Sequence, residues 1–250
     1  MIWVIGGTKD SRDFIESFPF KKRLVVTTAT EYGGKLLEEI KDIKIFCKRL
    51  DLNDMRSFVK ENNIEQIVDL SHPYAEEVSK NAIECSKLSG IEYVRFEREN
   101  LVSEDGVVEF SELDFMIKYL ETLEGNILVT LGSNNLYRFE NIKNKSNIYF
   151  RILPKWEMVK KAEDLGILPK NIIAMQGPFS KELNIAMMRQ LDIKYIVSKK
   201  GGSTGGEREK IESAREVGAI SIMLSRPNVE YPAVFSDIKE LIKHIIQKTN

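Results

Sequence analysis

The chain has 250 residues, 42% hydrophobic and 30% charged, with 37 basic against 38 acidic side chains and a formal net charge of -1. A balance this even excludes recruitment of nucleic acid or an anionic membrane by a global field, so any anion must be held locally. The length allows one large α/β domain or two of ordinary size, each able to bury a core. Cys47 and Cys85 lie far apart in apolar-patterned segments without zinc or redox spacing, and read as buried free thiols in a reducing compartment. With no basic leader and no apolar run of membrane length, the chain is expected in the cytoplasm, and no metal site is expected.

Ile2-Trp3-Val4-Ile5 reads as a buried strand that breaks at Gly6-Gly7-Thr8 before a helix over 10–18. That is the opening of a nucleotide-binding unit, although a full G-x-G-x-x-G is absent and a plain tight turn is the competing reading. Arg12, one turn in, either reaches an anion held there or is a solvated surface residue. Strands at 23–27, 43–47, 64–68 and 92–95 follow, separated by helices at 35–40, 53–61 (capped by Asp51) and 73–89. Strands alternating with helices predict a parallel sheet covered on both faces, with the loops at 6–8, 28–34 and 69–74 on its ligand-binding edge.

A polar stretch over 99–106 divides the chain into an expected cofactor-binding domain at 1–100 and a second domain at 101–250. The second series has helices at 112–123, 157–165, 181–190, 207–217 and 237–248, and strands at 127–131, 148–152, 172–175, 194–197 and 219–224. The fold expected is α/β, two tandem Rossmann-like domains with the active site in the cleft between them.

The central loop is Asp69-Leu70-Ser71-His72-Pro73-Tyr74-Ala75, where Pro73 is expected in the first turn of a helix. Ser71 or His72 either caps that helix or serves a site there. A histidine beside a helix N-terminus is disfavoured as an imidazolium, so His72 is expected to position a ligand as a hydrogen-bond donor, with Asp69 or Ser71 fixing its tautomer. The loop over 198–206, with Lys199, Lys200 and four glycines, suits an anion but lacks P-loop order. Tyr195 and Lys199 make a Tyr-x-x-x-Lys, rejected as a dehydrogenase pair because that pair needs a helix, whereas Tyr195 is expected in a strand, about 13 Å from the lysine. Arg95, Arg98, Arg151 and Arg226 stand at strand ends, where guanidinium forks suit a polycarboxylate; any one of them alone reads first as a surface ion pair, and it is the set of four that points to the ligand.

Along nearly the whole chain the motifs resemble the precorrin-6A reductase family, including its cobalt-precorrin-6A form. The resemblance rests on Gly6-Gly7-Thr8 with Ser11-Arg12, Asp69-x-Ser71-His72-Pro73-Tyr74-Ala75 with Asn81-Ala82, and Arg95-x-x-Arg98. It continues through Thr130-x-Gly132, Arg151-x-Leu153-Pro154, Gly177-Pro178-Phe179 with Glu182, Lys199 with Gly202, Gly205-Gly206, Lys210 and Arg226-Pro227. The chain departs at Lys200-Gly201, where the family has an acidic or amide residue followed by Ser-Gly.

The resemblance implies reduction of a corrin-type macrocycle by NADPH or NADH, with a tetrapyrrole-derived polycarboxylate as substrate and neither nucleic acid nor membrane as partner. It implies cofactor contacts at Gly6, Gly7, Thr8, Arg12, Thr28, Ser71, His72, Pro73, Tyr74 and Gly132, and catalytic roles for His72 and Lys199. Substrate contacts are implied at Arg95, Arg98, Arg151, Gly177, Pro178, Phe179, Lys199, Gly202 and Arg226. The absence of an acid among Val26-Thr27-Thr28-Ala29-Thr30 leaves room for a 2′-phosphate, so NADPH is expected to be usable. The alternative is a non-catalytic NAD(P)-sensing protein.

Overall fold

The computed structural model describes residues 1–98, 106–202 and 206–249, and it divides into two units, 1–99 with 227–250 and 100–226. The first unit opens with β1 (Ile2–Ile5), α1 (Lys9–Ser17), β2 (Leu24–Thr28), α2 (Glu31–Lys35) and β3 (Lys44–Cys47). It continues with α3 (Leu52–Glu61), β4 (Gln66–Asp69), α4 (Glu76–Ser89) and β5 (Glu92–Phe96).

The second unit holds β6 (Val107–Phe110), α5 (Leu113–Leu120), β7 (Asn126–Val129), β8 (Ile148–Ile152), α6 (Trp156–Asp164) and β9 (Ile172–Ala174). After these come α7 (Lys181–Gln190), β10 (Ile193–Lys199), α8 (Glu207–Val217) and β11 (Ile220–Leu224). The chain then returns to the first unit as β12 (Val234–Phe235) and α9 (Ile238–Thr249).

Each unit is a six-stranded parallel sheet, ordered β12-β5-β4-β1-β2-β3 in the first and β6-β11-β10-β7-β8-β9 in the second. Both are the doubly wound order in which sequence direction reverses beside the first strand of the pattern, β1 in one unit and β7 in the other. The crevices at these reversals lie between the loops after β1 and β4, and between those after β7 and β10.

Both faces of the first sheet are covered, as its unbroken apolar strands require. Ile2 and Val4 pack with Phe14, Phe18, Leu241 and Ile245, whereas Trp3 and Ile5 pack with Met55, Phe58 and Ile83. Asp51 caps α3 by accepting from Asp54 N at 2.9 Å, as expected.

Several expectations need correction. Residues 227–250 belong to the first unit: Arg95 and Glu97 donate backbone hydrogen bonds to Ala233 and Phe235, and Leu241 and Ile245 fill the core over β1. The two-residue strand β12 is too short to show period-two alternation, so the sheet edge it completes was hidden. The helix after β2 begins at Glu31, inside the segment read as a loop. α4 begins at Glu76 with Ala75 as N-cap, so Pro73 precedes the helix. Cys85 is buried but Cys47 is exposed.

Candidate active site

In the first unit the reversal point brings together the two segments that the sequence singles out. Thr8 caps α1 by accepting from Ser11 N at 3.1 Å, and its hydroxyl donates to the Leu70 carbonyl at 2.8 Å. The turn after β1 is thereby tied to the loop after β4. Gly7 sits at φ +103, which a side chain would strain, and its N–H and that of Thr8 both converge on Ser11 Oγ at 3.1 Å. Two main-chain donors aimed at one oxygen, beside a helix N-terminus, are the geometry that accepts a phosphate oxygen. Thr28, at the end of β2, is buried and donates to the Thr30 carbonyl at 3.1 Å.

The loop after β4 is held from beneath by a buried ionic cluster. Asp69 Oδ1 accepts from Ser71 N and from Arg95 Nη1, each at 2.9 Å, while Oδ2 accepts from Ser79 Oγ and Tyr93 Oη, each at 2.6 Å. Arg95 Nη1 also donates to Ser71 Oγ at 3.0 Å, its Nε pairs with Glu97 at 2.9 Å, and the Tyr231 ring lies 5.2 Å away. Burial works to lower the Arg95 pKa, but Asp69 and Glu97 outweigh it and hold the guanidinium charged. Burial and the Asp69 charge together push the Tyr93 hydroxyl well above the usual phenol range, so it remains a donor.

Pro73 is buried and His72 is exposed. His72 Nδ1 accepts from Tyr74 N at 3.3 Å, and the two rings lie 5.7 Å apart. An accepting Nδ1 leaves the neutral ring's proton on Nε2. The tautomer is therefore set by the Tyr74 main chain and not by Asp69 or Ser71. Because α4 starts beyond Ala75, the helix-dipole argument for His72 is replaced by this hydrogen bond.

Three arginines expected at ligands have internal partners. Arg95 is fully buried in the Asp69 cluster. Arg98 pairs with Asp10 in the first turn of α1, its Nε donating at 2.6 Å. Arg12 pairs with Glu16 one turn along α1, on the surface.

In the second unit, Thr130 Oγ1 donates to the Val197 carbonyl at 2.8 Å across the reversal point between β7 and β10. Gly132, at φ +80, follows β7 and so belongs to this unit, whereas the other residues expected at the cofactor belong to the first. Lys199 ends β10, and burial lowers its pKa. Tyr195 and Lys199 share that strand, which runs past the expected end at 197 into the segment read as a loop. Gly202 N donates to Glu207 Oε2 at 2.8 Å, while Arg226 Nε donates to the Lys200 carbonyl at 3.2 Å. Ser203, Thr204 and Gly205 of the expected anion loop lie outside the described residues.

Arg151, in β8, is 6% exposed, donates from Nη1 to Asn184 Oδ1 at 2.7 Å, and stacks its guanidinium 4.0 Å from the Phe179 ring centre. A methyl at Gly177 would meet that ring at 2.9 Å, so the glycine lets Phe179 fold back against the arginine. The Gly177-Pro178 peptide is cis.

The model of a family described as precorrin-6x reductase CbiJ/CobK matches residues 1–246. The chain belongs to this family. Among its precorrin-6x reductase relatives, the cobalt-precorrin-6A reductase of Methanocaldococcus jannaschii is 38% identical, over 97% of this chain and 96% of that one. That of Priestia megaterium is 34% identical, over 100% and 99%. The solved structure of CobK precorrin-6A reductase shares the fold, with a TM-score of 0.79 at 18% identity, covering 98% of this chain and 96% of that one. The chain is therefore an oxidoreductase of the precorrin-6x reductase family built on two Rossmann-like units.

Sequence reasoning missed the anchoring side chains of this reductase. Ser79, Tyr93 and Tyr231 gather around Asp69, while in the second unit Asn184 holds Arg151 and Ser198 holds Lys210, a lysine the family motifs include without a role. The available signal was polarity at positions where the helix or strand pattern demands burial: Ser79, Asn184 and Ser198 are each 1% exposed.

Proposed function

We propose that this protein reduces the precorrin-6A macrocycle, or its cobalt form, with NADPH or NADH in cobalamin biosynthesis, and that it does so in the cytoplasm. The observation that carries the reading is the match with cobalt-precorrin-6A reductases along almost the whole chain. Local geometry supports it. The turn at Gly6-Gly7-Thr8 and the first turn of α1 suit a dinucleotide pyrophosphate, because two N–H groups already converge on one oxygen there. Thr28, at the end of β2 and followed by no acid until Glu31, suits the adenosine ribose with or without its 2′-phosphate.

Hydride chemistry belongs to the reduced nicotinamide when it is bound. The chain's part is to orient the reactants and exclude water. His72, its proton placed on Nε2 by the Tyr74 bond to Nδ1, is the donor assigned to orient an amide or carboxylate, and the buried Asp69 cluster anchors its loop. Arg151 takes a peripheral carboxylate of the substrate, a contact made equally in ground and transition states.

Anaerobic turnover of precorrin-6A and of cobalt-precorrin-6A with each nicotinamide tests this. Oxidation of NADPH stoichiometric with loss of the macrocycle's absorption is expected with at least one substrate form. NADPH binding without turnover of either form would sink the reductase reading. A preference for NADH above about a hundredfold, roughly 2.7 kcal/mol, would overturn the assignment of NADPH as a usable cofactor.

A further inference from the structure

Most aromatic rings of the second unit have a neighbour to pack on. Phe110 lies against Tyr119, Phe139 against Phe150 and Phe179 against the Arg151 guanidinium, while Phe115 and Tyr137 stand near Lys118 and Arg138. Trp156 is different. It is 71% exposed, the highest fraction of any large apolar side chain among the described residues. Its ring meets neither a second ring nor a cation among them, and its Nε1 donates to none of them.

The backbone puts this indole at the ligand edge of its sheet. α6 joins two adjacent parallel strands, β8 and β9, so it runs antiparallel to them and its first turn lies at their carboxyl ends. Trp156 opens that turn, after a tight bend in which Lys155 N donates to the Leu153 carbonyl at 2.8 Å. Helical side chains lean toward the helix N-terminus, which here is the edge where parallel sheets bind ligands. Two more exposed apolar side chains stand at the same level. Leu153 directly follows β8, and Met175 directly follows β9, its N–H donating to the Ile152 carbonyl at 3.0 Å. Neighbouring strands are about 4.8 Å apart, so β8 lies about 7 Å from the middle of the β7–β10 crevice, within the span of a tetrapyrrole seated there.

We propose that Trp156, with Leu153 and Met175 on the same edge, is the seat for the face of the substrate's macrocycle. This rests on the substrate reading above and adds a ring contact that the residues assigned so far do not supply. A polycarboxylate tetrapyrrole is charged at its rim and apolar across its face, so it calls for cations at one and a flat apolar platform under the other. The Phe179 ring is already occupied: the Arg151 guanidinium stands 4.0 Å from its centre, and a methyl at Gly177 would meet it at 2.9 Å. Trp156 offers a larger ring with nothing laid on it.

The test uses the full chain and uroporphyrin I, a planar tetrapyrrole ringed with carboxylates, followed by its own fluorescence, with NADPH titrated separately. Trp156→Ala should weaken uroporphyrin at least about tenfold, as removal of an aromatic platform does for a stacked nucleic-acid base. NADPH affinity should stay within about twofold and the thermal midpoint near the parent's, because so exposed a side chain holds little of the fold. Trp156→Phe should keep uroporphyrin affinity within about threefold. Salt screens the rim carboxylates and not the ring contact, so the Trp156→Ala deficit should persist at about 1 M salt even as overall affinity falls. In turnover the macrocycle's KM should rise with kcat little changed.

A Trp156→Ala protein that binds uroporphyrin like the parent overturns the seat, as does a deficit that vanishes at high salt or a Trp156→Phe protein as weak as the Ala variant. So does failure of the parent to bind uroporphyrin, or a loss confined to NADPH, which would give the indole to the nucleotide base. A parent dimer in sedimentation that Trp156→Ala returns to monomers also overturns it, making this face an interface between copies of the chain. Trp156-dependent binding in a protein that turns over neither precorrin form supports the seat while sinking the reductase reading; turnover with Trp156-independent binding does the reverse.

Discussion

The hydroxyl of Thr8 donates to the main-chain carbonyl of Leu70 at 2.8 Å while its oxygen accepts from Ser11 N, so one side chain caps α1 and fastens it to the loop that carries His72. Replacing Thr8 by Val removes both bonds at nearly constant volume. The loss expected is about 1–2 kcal/mol, read by urea denaturation, accompanied by weaker NADPH binding. Thr8→Ser should preserve both. Parent-like stability in the Val variant would show that the link between turn and loop contributes little.

Arg98 is better tested as the partner of Asp10 than as a substrate contact. Arg98→Ala leaves a nearly buried carboxylate uncompensated beside the turn assigned to the pyrophosphate. Stability should drop by about 3 kcal/mol, and the KM for NADPH should rise more than that for the macrocycle. Converting Asp10 to Asn in the same chain should restore much of both. A rise confined to the macrocycle's KM would return Arg98 to the substrate.

Asp69 accepts from four donors, and no neutral side chain of its size can do so. Asp69→Asn turns an amide N–H2 toward groups that themselves donate, and it deprives the buried Arg95 of its closest counter-charge. A cost of about 3–5 kcal/mol is expected by chemical denaturation. Arg95→Lys is also expected to be poorly tolerated, the ammonium being unable to span Asp69, Ser71 and Glu97 as Nε and Nη1 do. A thermal midpoint for Asp69→Asn equal to the parent's would contradict this account.

These anchors explain what the sequence could and could not reveal. Parallel strands such as β1 and β8, buried on both faces, announce themselves as short apolar runs, and α3 declares its start through Asp51. The glycine turn and the His72 loop were legible because each interrupts such a pattern. What stayed hidden depends on pairing between distant positions. Arg95 and Arg98 looked like ligands at strand ends because nothing local marks Asp69 or Asp10 as their partners, 26 and 88 residues away. The short edge strands β6 and β12 acquire their structure from the neighbours they complete.

For His72 the hydrogen bond from Tyr74 N gives a sharp comparison. Protonating Nδ1 would break that bond, so the ring is suited to donate from Nε2 and not to cycle a proton. His72→Asn keeps a donor and should retain far more activity than His72→Ala, with the pH profile of kcat unchanged in shape. If Asn is as damaged as Ala, and an ionisation present in the parent disappears with it, the histidine is the acid.

Gly177 offers a test of the second unit that leaves every charge in place. In Gly177→Ala the new methyl collides with the Phe179 ring, which must swing off the Arg151 guanidinium. The macrocycle's KM should rise severalfold with kcat little changed, since the contact is remote from the reacting carbon. Restoring space with Phe179→Leu in the same chain should not recover it, because the stacking face is then gone.

The return of the last 24 residues to the first sheet has a consequence for how the molecule is made. On a ribosome, the six strands of the second unit emerge in one uninterrupted run, β6 to β11, whereas the first sheet waits for β12 and for the helix that carries Leu241 and Ile245 into its core. The later-translated unit can therefore finish folding before the earlier one, reversing the usual amino-to-carboxyl order. Until α9 is released, one face of the nucleotide-type sheet lacks part of its apolar cover. A nascent chain stalled just short of Ile238 would then be an exposed client for chaperones and proteases, and the release of its final helix would end that exposure.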